Sequence, residues 1–374
     1  MTLENVLLYM CGSIYGIYVE AGGELIIKDN STITVQNPGS DYYQFWYKEG
    51  SSGKIENSTV EYTWTPDPGG NSQFNEAGIF CETDNFEISN STIKFSLGNG
   101  IETFQLNNLS VIDSIFSENG ANGILVRNST GLSITGCTIT GNGTNINHHD
   151  GCGMIVLVVT GLIDNCNTES NRLTGFEGSG DMDITISNCG VKNNGDFGIF
   201  VHDEFSTSLA SITNNIIQNN SGSSQACAGL SVEGAVKASV HHNNLDQNYI
   251  GIRVLNNTEI SNFEYNTITN CNAWGIHIDN SSPVFYRNTV SGCNRVAFIQ
   301  EENGQPNPNF GDTTIQNSGY NDFLNNTNGI RNDSTNVFKA ENNYWGTTDS
   351  NNINLYNFAD DTSIDYDPWL NSPP

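Results

Sequence analysis

Glu177, His202, Glu233, Arg253 and His277 fall at matching places in a recurring Gly-apolar stretch. Their types are those of proton transfer and charge neutralisation. Glu177 and Glu233, stacked two repeats apart, would be separated by roughly 9–10 Å, near the upper end for the acid/base pair of an inverting glycosidase. Alternatively, His202 or His277 would take the C5 proton of a uronic acid while Arg253 neutralises its carboxylate, as a lyase or epimerase requires. Glu82, Glu102, Phe104, Arg127, Phe200 and Asp279 occupy the same places in other repeats and are candidates for substrate binding. Rings there would stack on apolar sugar faces and charges would fix hydroxyls or uronates. Asp203, in His202-Asp203-Glu204, and His148 and Asp150, in His148-His149-Asp150, are candidate ligands for calcium or a transition metal. The competing reading is that a polar outer face is simply solvated.

These residues share one face only if the chain is periodic, and it is. An apolar-x-x-small-x-apolar pattern runs from Ile55/Ser58/Val60 through Ile88/Ser91/Ile93, Val111/Ser114/Phe116 and Ile134/Cys137/Ile139. It continues at Cys166, Cys189, Asn215, Asn243, Asn266 and Asn288, then at Ile315/Ser318/Tyr320 and, imperfectly, Lys339/Asn342/Tyr344. The steps cluster near 23 residues, with insertions at about 62–77, 141–151, 218–228 and 301–313. About nine residues after each central residue comes a Gly followed by alternating apolar residues, as in Gly123-Ile124, Gly198-Ile199 and Gly275-Ile276. Short alternating strands separated by Asn/Gly turns indicate a coil of β-strands, not a helical repeat. The expected architecture is all-β: one domain over 1–374, about a dozen rungs rising ~4.8 Å each. Residues 1–50 would form N-terminal rungs or a cap, 51–346 the core rungs and 347–374 a C-terminal capping segment.

The Asn-x-x-Gly-Ile rungs, with the ending Glu341-Asn342-Asn343-Tyr344-Trp345-Gly346 and Ile364-Asp365-Tyr366-Asp367-Pro368-Trp369-Leu370, resemble the right-handed parallel β-helix repeat family. That family includes pectate lyases, polygalacturonases and many secreted or surface proteins, so the resemblance implies a polysaccharide-related role. It does not choose a reaction. The polygalacturonase-like Asn-Thr-Asp and Gly-His-Gly and the pectate-lyase-like Arg-x-Pro-x-x-Arg are missing from the sequence.

Several conspicuous features need no chemistry. The central residues should stack as one inward column, with Asn amides bonded along it and Cys137, Cys166 and Cys189 acting as small buried groups in the same slot. The nine cysteines contain no C-x-x-C, and Cys271 with Cys293 is the one pair placed for a disulfide. Tyr344-Trp345 and Pro368-Trp369 read as caps over a terminal strand edge. In the Gly-Ile strand the second and fourth residues after Gly should point outward to solvent, which gathers His202, His277, Arg127, Arg253 and Arg331 on one face.

Composition narrows the partners. A net charge of −28 repels phosphate backbones and excludes a nucleic-acid role. No apolar run reaches the ~18–20 residues of a membrane helix, and Val6-Leu7-Leu8-Tyr9-Met10 lacks the length and basic flank of a signal peptide. The sequence is expected to describe a monomeric extracellular or cell-surface protein acting on a polysaccharide as a hydrolase, lyase or epimerase. The alternative is a glycan-binding or structural surface module without turnover. Calcium is the one cofactor the acidic composition suggests.

Overall fold

A computed structural model describes residues 1–11, 15–66, 76–145, 150–222, 227–301, 306–349, 351–353 and 364–374. The chain divides into two units, Met1–Thr185 and Ile186–Pro374. Nearly all of the regular structure is short parallel strand, wound as a parallel β-helix of about 14 turns of about 24 residues.

In the first unit the strand Ile101–Phe104 lies between Ile79–Cys81 and Ile124–Thr135, all parallel. Its inward row runs Ile101, Ile124, Met154, Phe176, each directly opposite the next. A second sheet stacks Thr92–Lys94, Ile115–Ser117, Thr138–Thr140 and Asn167–Glu169. Its inward residues Ile93, Phe116 and Ile139 are buried. In the second unit the corresponding inward row is Ile199, Leu230, Ile252, Ile276, Ala297, Ile330. Phe263, Phe285 and Phe310 stack in its core, with centroids 4.8 and 4.3 Å apart. Strict alternation of apolar and polar residues produces this arrangement, because successive side chains point to opposite sides of a strand.

The turns are held by ladders. In the first unit the Ser91 hydroxyl accepts the Ser58 N–H at 3.1 Å and the Ser114 hydroxyl accepts that of Ser91 at 3.2 Å. In the second unit Asn215, Asn243, Asn266 and Asn288 form the expected column, each side-chain amide donating to the next at 2.9–3.0 Å. The column then passes through Asn321 and Asn343, not the expected Ser318 and Asn342. The apparent motif Ile315-x-x-Ser318 belongs to an insertion: Ile315 is exposed, and Ser318 closes the loop by donating to the Asp312 carbonyl at 3.2 Å. A second ladder, five residues further along each rung, was not anticipated. It joins Asn119, Asn142 and Asn171 in the first unit and Asn194, Asn220 and Asn248 in the second. Cys271 and Cys293 continue it as free thiols, with the Cys271 N–H 3.4 Å from the Cys293 sulfur.

The second ladder explains the Gly marker. A Cβ on Gly123 would lie 2.6 Å from Ile139 Cγ2, 2.7 Å from the Gly153 carbonyl and 2.9 Å from the Asn142 amide nitrogen. Strand backbone therefore presses on the ladder where only hydrogen fits. Gly123→Ala is expected to cost about 1–3 kcal/mol through overpacking, read as a lower thermal midpoint. An unchanged midpoint would show that the rung relaxes freely.

At the C-terminal end Ile364–Asp365 pairs with Phe338–Lys339, and Leu370 N–H donates to the Asn343 carbonyl at 2.9 Å. Trp345 is buried against Phe323, centroids 4.9 Å apart. These contacts cover strand edges and apolar surface that would otherwise face water.

Candidate functional site

The strands after the Gly marker place the singled-out side chains, and register fixes which of them meet. In the first unit the second position after Gly stacks Phe80, Glu102, Leu125, Ile155 and Glu177. The fourth position stacks Phe104, Arg127, Leu157 and Ser179. The expectation that these places face open solvent fails here: Phe80, Glu102, Leu125 and Ile155 are buried. Cys152 and the half-buried Leu173 pack with Leu125, Ile155 and Leu157 outside the sheet. Alternation determines that a residue points outward, whereas the adjoining segments determine whether water reaches it.

Arg127 donates to the fully buried Glu102 carboxylate, its guanidinium lies 5.2 Å from the Phe104 ring centroid, and the Asn99 amide reaches Glu102 at 3.2 Å. A buried charge pair of this kind is costly to break from one side. Glu177 accepts from the Cys152 thiol at 3.5 Å. Burial first, then the Glu177 charge, push that thiol well up and keep it protonated. Glu82 accepts the Trp46 indole N–H at 2.8 Å. It lines a groove of about 880 Å³ with Glu24, Glu49, Lys54, Asp84 and Glu87.

The second unit brings His202, Glu233, Arg253, His277, Phe200 and Asp279 onto one face. One column runs Phe200, Ser231, Arg253, His277, Phe298, Arg331. Its neighbour, two residues along each strand, runs His202, Glu233, Leu255, Asp279, Gln300. Arg253 Nη1 donates to Glu233 Oε1 at 2.8 Å, and the buried Ser231 hydroxyl donates to the same oxygen at 3.0 Å. His277 occupies the next rung, its ring parallel to Phe298 (5.4 Å, 4°) and 4.7 Å from Trp274. The Phe200 ring stacks between Phe197 (4.8 Å) and His202 (4.4 Å). The Arg331 guanidinium caps the Phe298 ring at 5.1 Å. Asp279 is buried.

Trp274 and Phe197 were not singled out in the sequence, although each contributes here. Phe197 and Trp274 immediately precede the Gly of their rungs and join Ala228, Ile250, Phe200 and Tyr249 in one apolar cluster. A large apolar residue directly before the Gly was the available signal.

Burial, and then the positive charge of Arg253, lower the His277 imidazole to about 4, with the Gln300 side chain acting in the opposite sense. At neutral pH the ring is therefore uncharged, and both of its nitrogens are buried. Stability is linked to this shift. Above pH 6.5 neither the folded nor the unfolded chain protonates the ring; as pH falls from there to about 4, the unfolded chain takes up a proton that the folded chain refuses. His277 should thus cost roughly 1–3 kcal/mol of stability across that window. His277→Gln should flatten that part of the curve of unfolding free energy against pH, and superimposable curves would contradict the assignment.

Of the candidate metal ligands, Asp203 and Asp150 lie within the described residues. Asp203 is buried and organises a bulge, accepting from Phe205 N–H at 3.0 Å and from the Ser206 hydroxyl at 2.7 Å. The Asp150 carbonyl receives a bond from Arg172, and His148 lies outside the described residues. Among the described residues no three His, Cys, Asp or Glu side chains converge as a metal site.

Residues 77–234 match the model of a protein family described as the right handed beta helix region. No curated protein matches the sequence. Among solved structures the fold is similar to a point mutant of the periplasmic alginate epimerase AlgG, at 13% identity and a TM-score of 0.52, covering 81% of this chain and 75% of that one. It is also similar to the A-module of the mannuronan C-5 epimerase AlgE4 from Azotobacter vinelandii, at 16% identity and a TM-score of 0.53, covering 80% of this chain and 89% of that one. The coil is therefore a right-handed parallel β-helix.

Proposed function

We propose that this right-handed β-helix acts on an acidic polysaccharide laid across the rungs of its second unit, at the C5 proton of a uronate residue. The observation that carries this reading is the Glu233, Arg253 and His277 arrangement on consecutive rungs, flanked by Phe200, Trp274 and Phe298. In this reading Arg253, held in place by Glu233, meets the uronate carboxylate and lowers the cost of the charge that develops when the C5 proton leaves. Neutral His277, once substrate binding displaces the groups that cover its nitrogens, accepts that proton and becomes imidazolium. Return of a proton to the opposite face would epimerise C5, whereas departure of the O4 substituent would cleave the chain and leave a C4–C5 double bond. The rings provide stacking surfaces for adjacent sugars.

The names of these two epimerases, of alginate and of mannuronan, support a uronate over a neutral sugar. The periplasmic origin of one supports a location outside the cytoplasm. A hydrolase drawing on Glu177 with Glu233 is less favoured, because Glu177 accepts from the Cys152 thiol and Glu233 is paired with Arg253.

One observation favours binding without turnover as a second reading: Arg253 is already neutralised by Glu233. Incubation with alginate, polymannuronate and polygalacturonate separates the two. Proton NMR reads the epimer ratio and ultraviolet absorbance reads unsaturated ends. A change in either supports catalysis. Retention on a uronate matrix with neither change supports the binding reading, and silence in all three assays contradicts both.

A further inference from the structure

Each rung turns a corner on the residue just before the first ladder, and that residue adopts left-handed backbone. In the first unit Asn90, Asp113, Gly136 and Asn165 hold the position, with φ of 47°, 46°, 68° and 52°. In the second unit Asn188 and Asn214 do so at 54° and 58°. Asn, Asp and Gly are the residues that tolerate this conformation. Four successive rungs then depart from the rule: His242, Tyr265, Arg287 and Tyr320 take φ of 58°, 54°, 53° and 56°, and Asn342 restores it at 57°. Bulky side chains have no local reason to accept left-handed backbone, and strain of this kind concentrates where a side chain is needed for something else.

The four side chains, with Tyr286, make a continuous exposed ridge. His242 is parallel to Tyr265 (5.0 Å, 8°), Tyr265 meets Tyr286 at 5.8 Å, and Tyr286 meets Tyr320 at 6.1 Å. Arg287 spans the last two rings, 5.3 and 5.8 Å from their centroids, and its Nε donates to the Tyr286 hydroxyl at 2.9 Å. Tyr265 and Tyr320 remain 41% and 39% exposed, so their rings are open to solvent. The ridge ends in a pocket of about 340 Å³, where the insertion after Phe310 supplies Thr313, Gln316 and Asn317 opposite Tyr286, Arg287 and Tyr320. Lys339 pairs with Asp312 at 2.6 Å, the Glu341 carboxylate accepts the Thr313 N–H, and Glu264 lies beside Tyr286 in register. On a chain of net charge −28, rings and neutral polar groups flanked by these carboxylates repel an anionic polymer and leave the corner to an uncharged one.

We propose that this corner is a second, non-catalytic carbohydrate site that takes an uncharged pyranose polymer, one sugar to a rung, with a sugar seated in the pocket. Successive rings lie 5.0–6.1 Å apart, close to the length of one pyranose residue. Aromatic rings beside amides and hydroxyls meet both the apolar face and the rim hydroxyls of a sugar. The site is separate from the Arg253 and His277 face and does not depend on its chemistry.

Electrophoresis in native gels containing soluble β-glucan, galactomannan or alginate tests the proposal. The wild-type chain should be retarded by at least one of the two neutral polymers. Tyr265→Asn combined with Tyr320→Asn should weaken that retardation at least fivefold in apparent Kd. The same double variant should keep or raise the thermal midpoint, because Asn suits left-handed backbone. It should also leave any turnover of uronate polymers unchanged. His277→Ala should leave retardation by the neutral polymer intact. The proposal is overturned if neither neutral polymer retards the chain, if the double variant binds as tightly as wild type, or if His277→Ala abolishes the retardation. A lowered midpoint in the double variant would show that the rings serve packing, and would overturn it too.

Discussion

Asn266→Ala is expected to destabilise the second unit by about 3–5 kcal/mol. Asn266 Oδ1 accepts the Asn243 backbone N–H and side-chain amide, both at 3.0 Å. Its own amide donates to the Val240 carbonyl at 2.9 Å and to Asn288 Oδ1 at 3.0 Å. Alanine would leave two donors and part of two acceptors without partners, in a position that is 1% exposed. Each orphaned buried group costs about 1–3 kcal/mol, and a methyl cannot restore any of them. Ser114→Ala in the first unit removes less, because the serine hydroxyl accepts one N–H and donates to the Ile112 carbonyl at 2.7 Å. Urea unfolding followed by far-ultraviolet circular dichroism compares the two: Asn266→Ala should move the midpoint by much more than Ser114→Ala at unchanged slope. Equal shifts would mean that the column is ornamental to stability.

The second large effect concerns turnover. If His277 takes the C5 proton, His277→Ala should lower kcat on a polyuronate by roughly 10²–10⁴-fold, the usual contribution of a positioned base. Arg253→Ala should raise KM and lower kcat together, since the guanidinium meets the carboxylate both before and during proton loss. It should also move the acidic limb of the pH profile upward, because Arg253 is one of the two influences that lower His277 to about 4. That second readout separates a charge role from a packing role: a packing defect lowers activity at every pH without moving the limb. An Arg253→Ala profile with an unmoved limb would remove Arg253 from the account.

Much of the architecture was legible because the chain repeats a small-residue slot near every 23 residues and solenoid rungs stack in register. The Asn215 to Asn288 column and the pairing of Arg253 with His277 both follow from that phase. The second ladder was equally regular, a constant five residues beyond the first, but Asn is so common in turns that Asn142 and Asn220 looked like turn residues and not buried amides. Phase failed near Ile315, where an exposed insertion imitates the motif and the true slot falls at Asn321. Alternation also could not show that Glu102 and Leu125 lie beneath other segments, because burial of an outward face depends on non-local packing. The left-handed corner was invisible in the sequence until ladder and backbone could be laid side by side, and only then did Tyr265 and Tyr320 stand out.

The most direct measurement is deuterium exchange at C5. Polymannuronate or polygalacturonate is incubated with the chain in D₂O and followed by proton NMR, with His277→Ala in parallel. The account predicts loss of the C5 proton signal with the wild-type chain and its retention with His277→Ala. Retention of that signal with the wild-type chain, on polymers that it demonstrably binds, would contradict the account: the face would hold uronate without abstracting a proton.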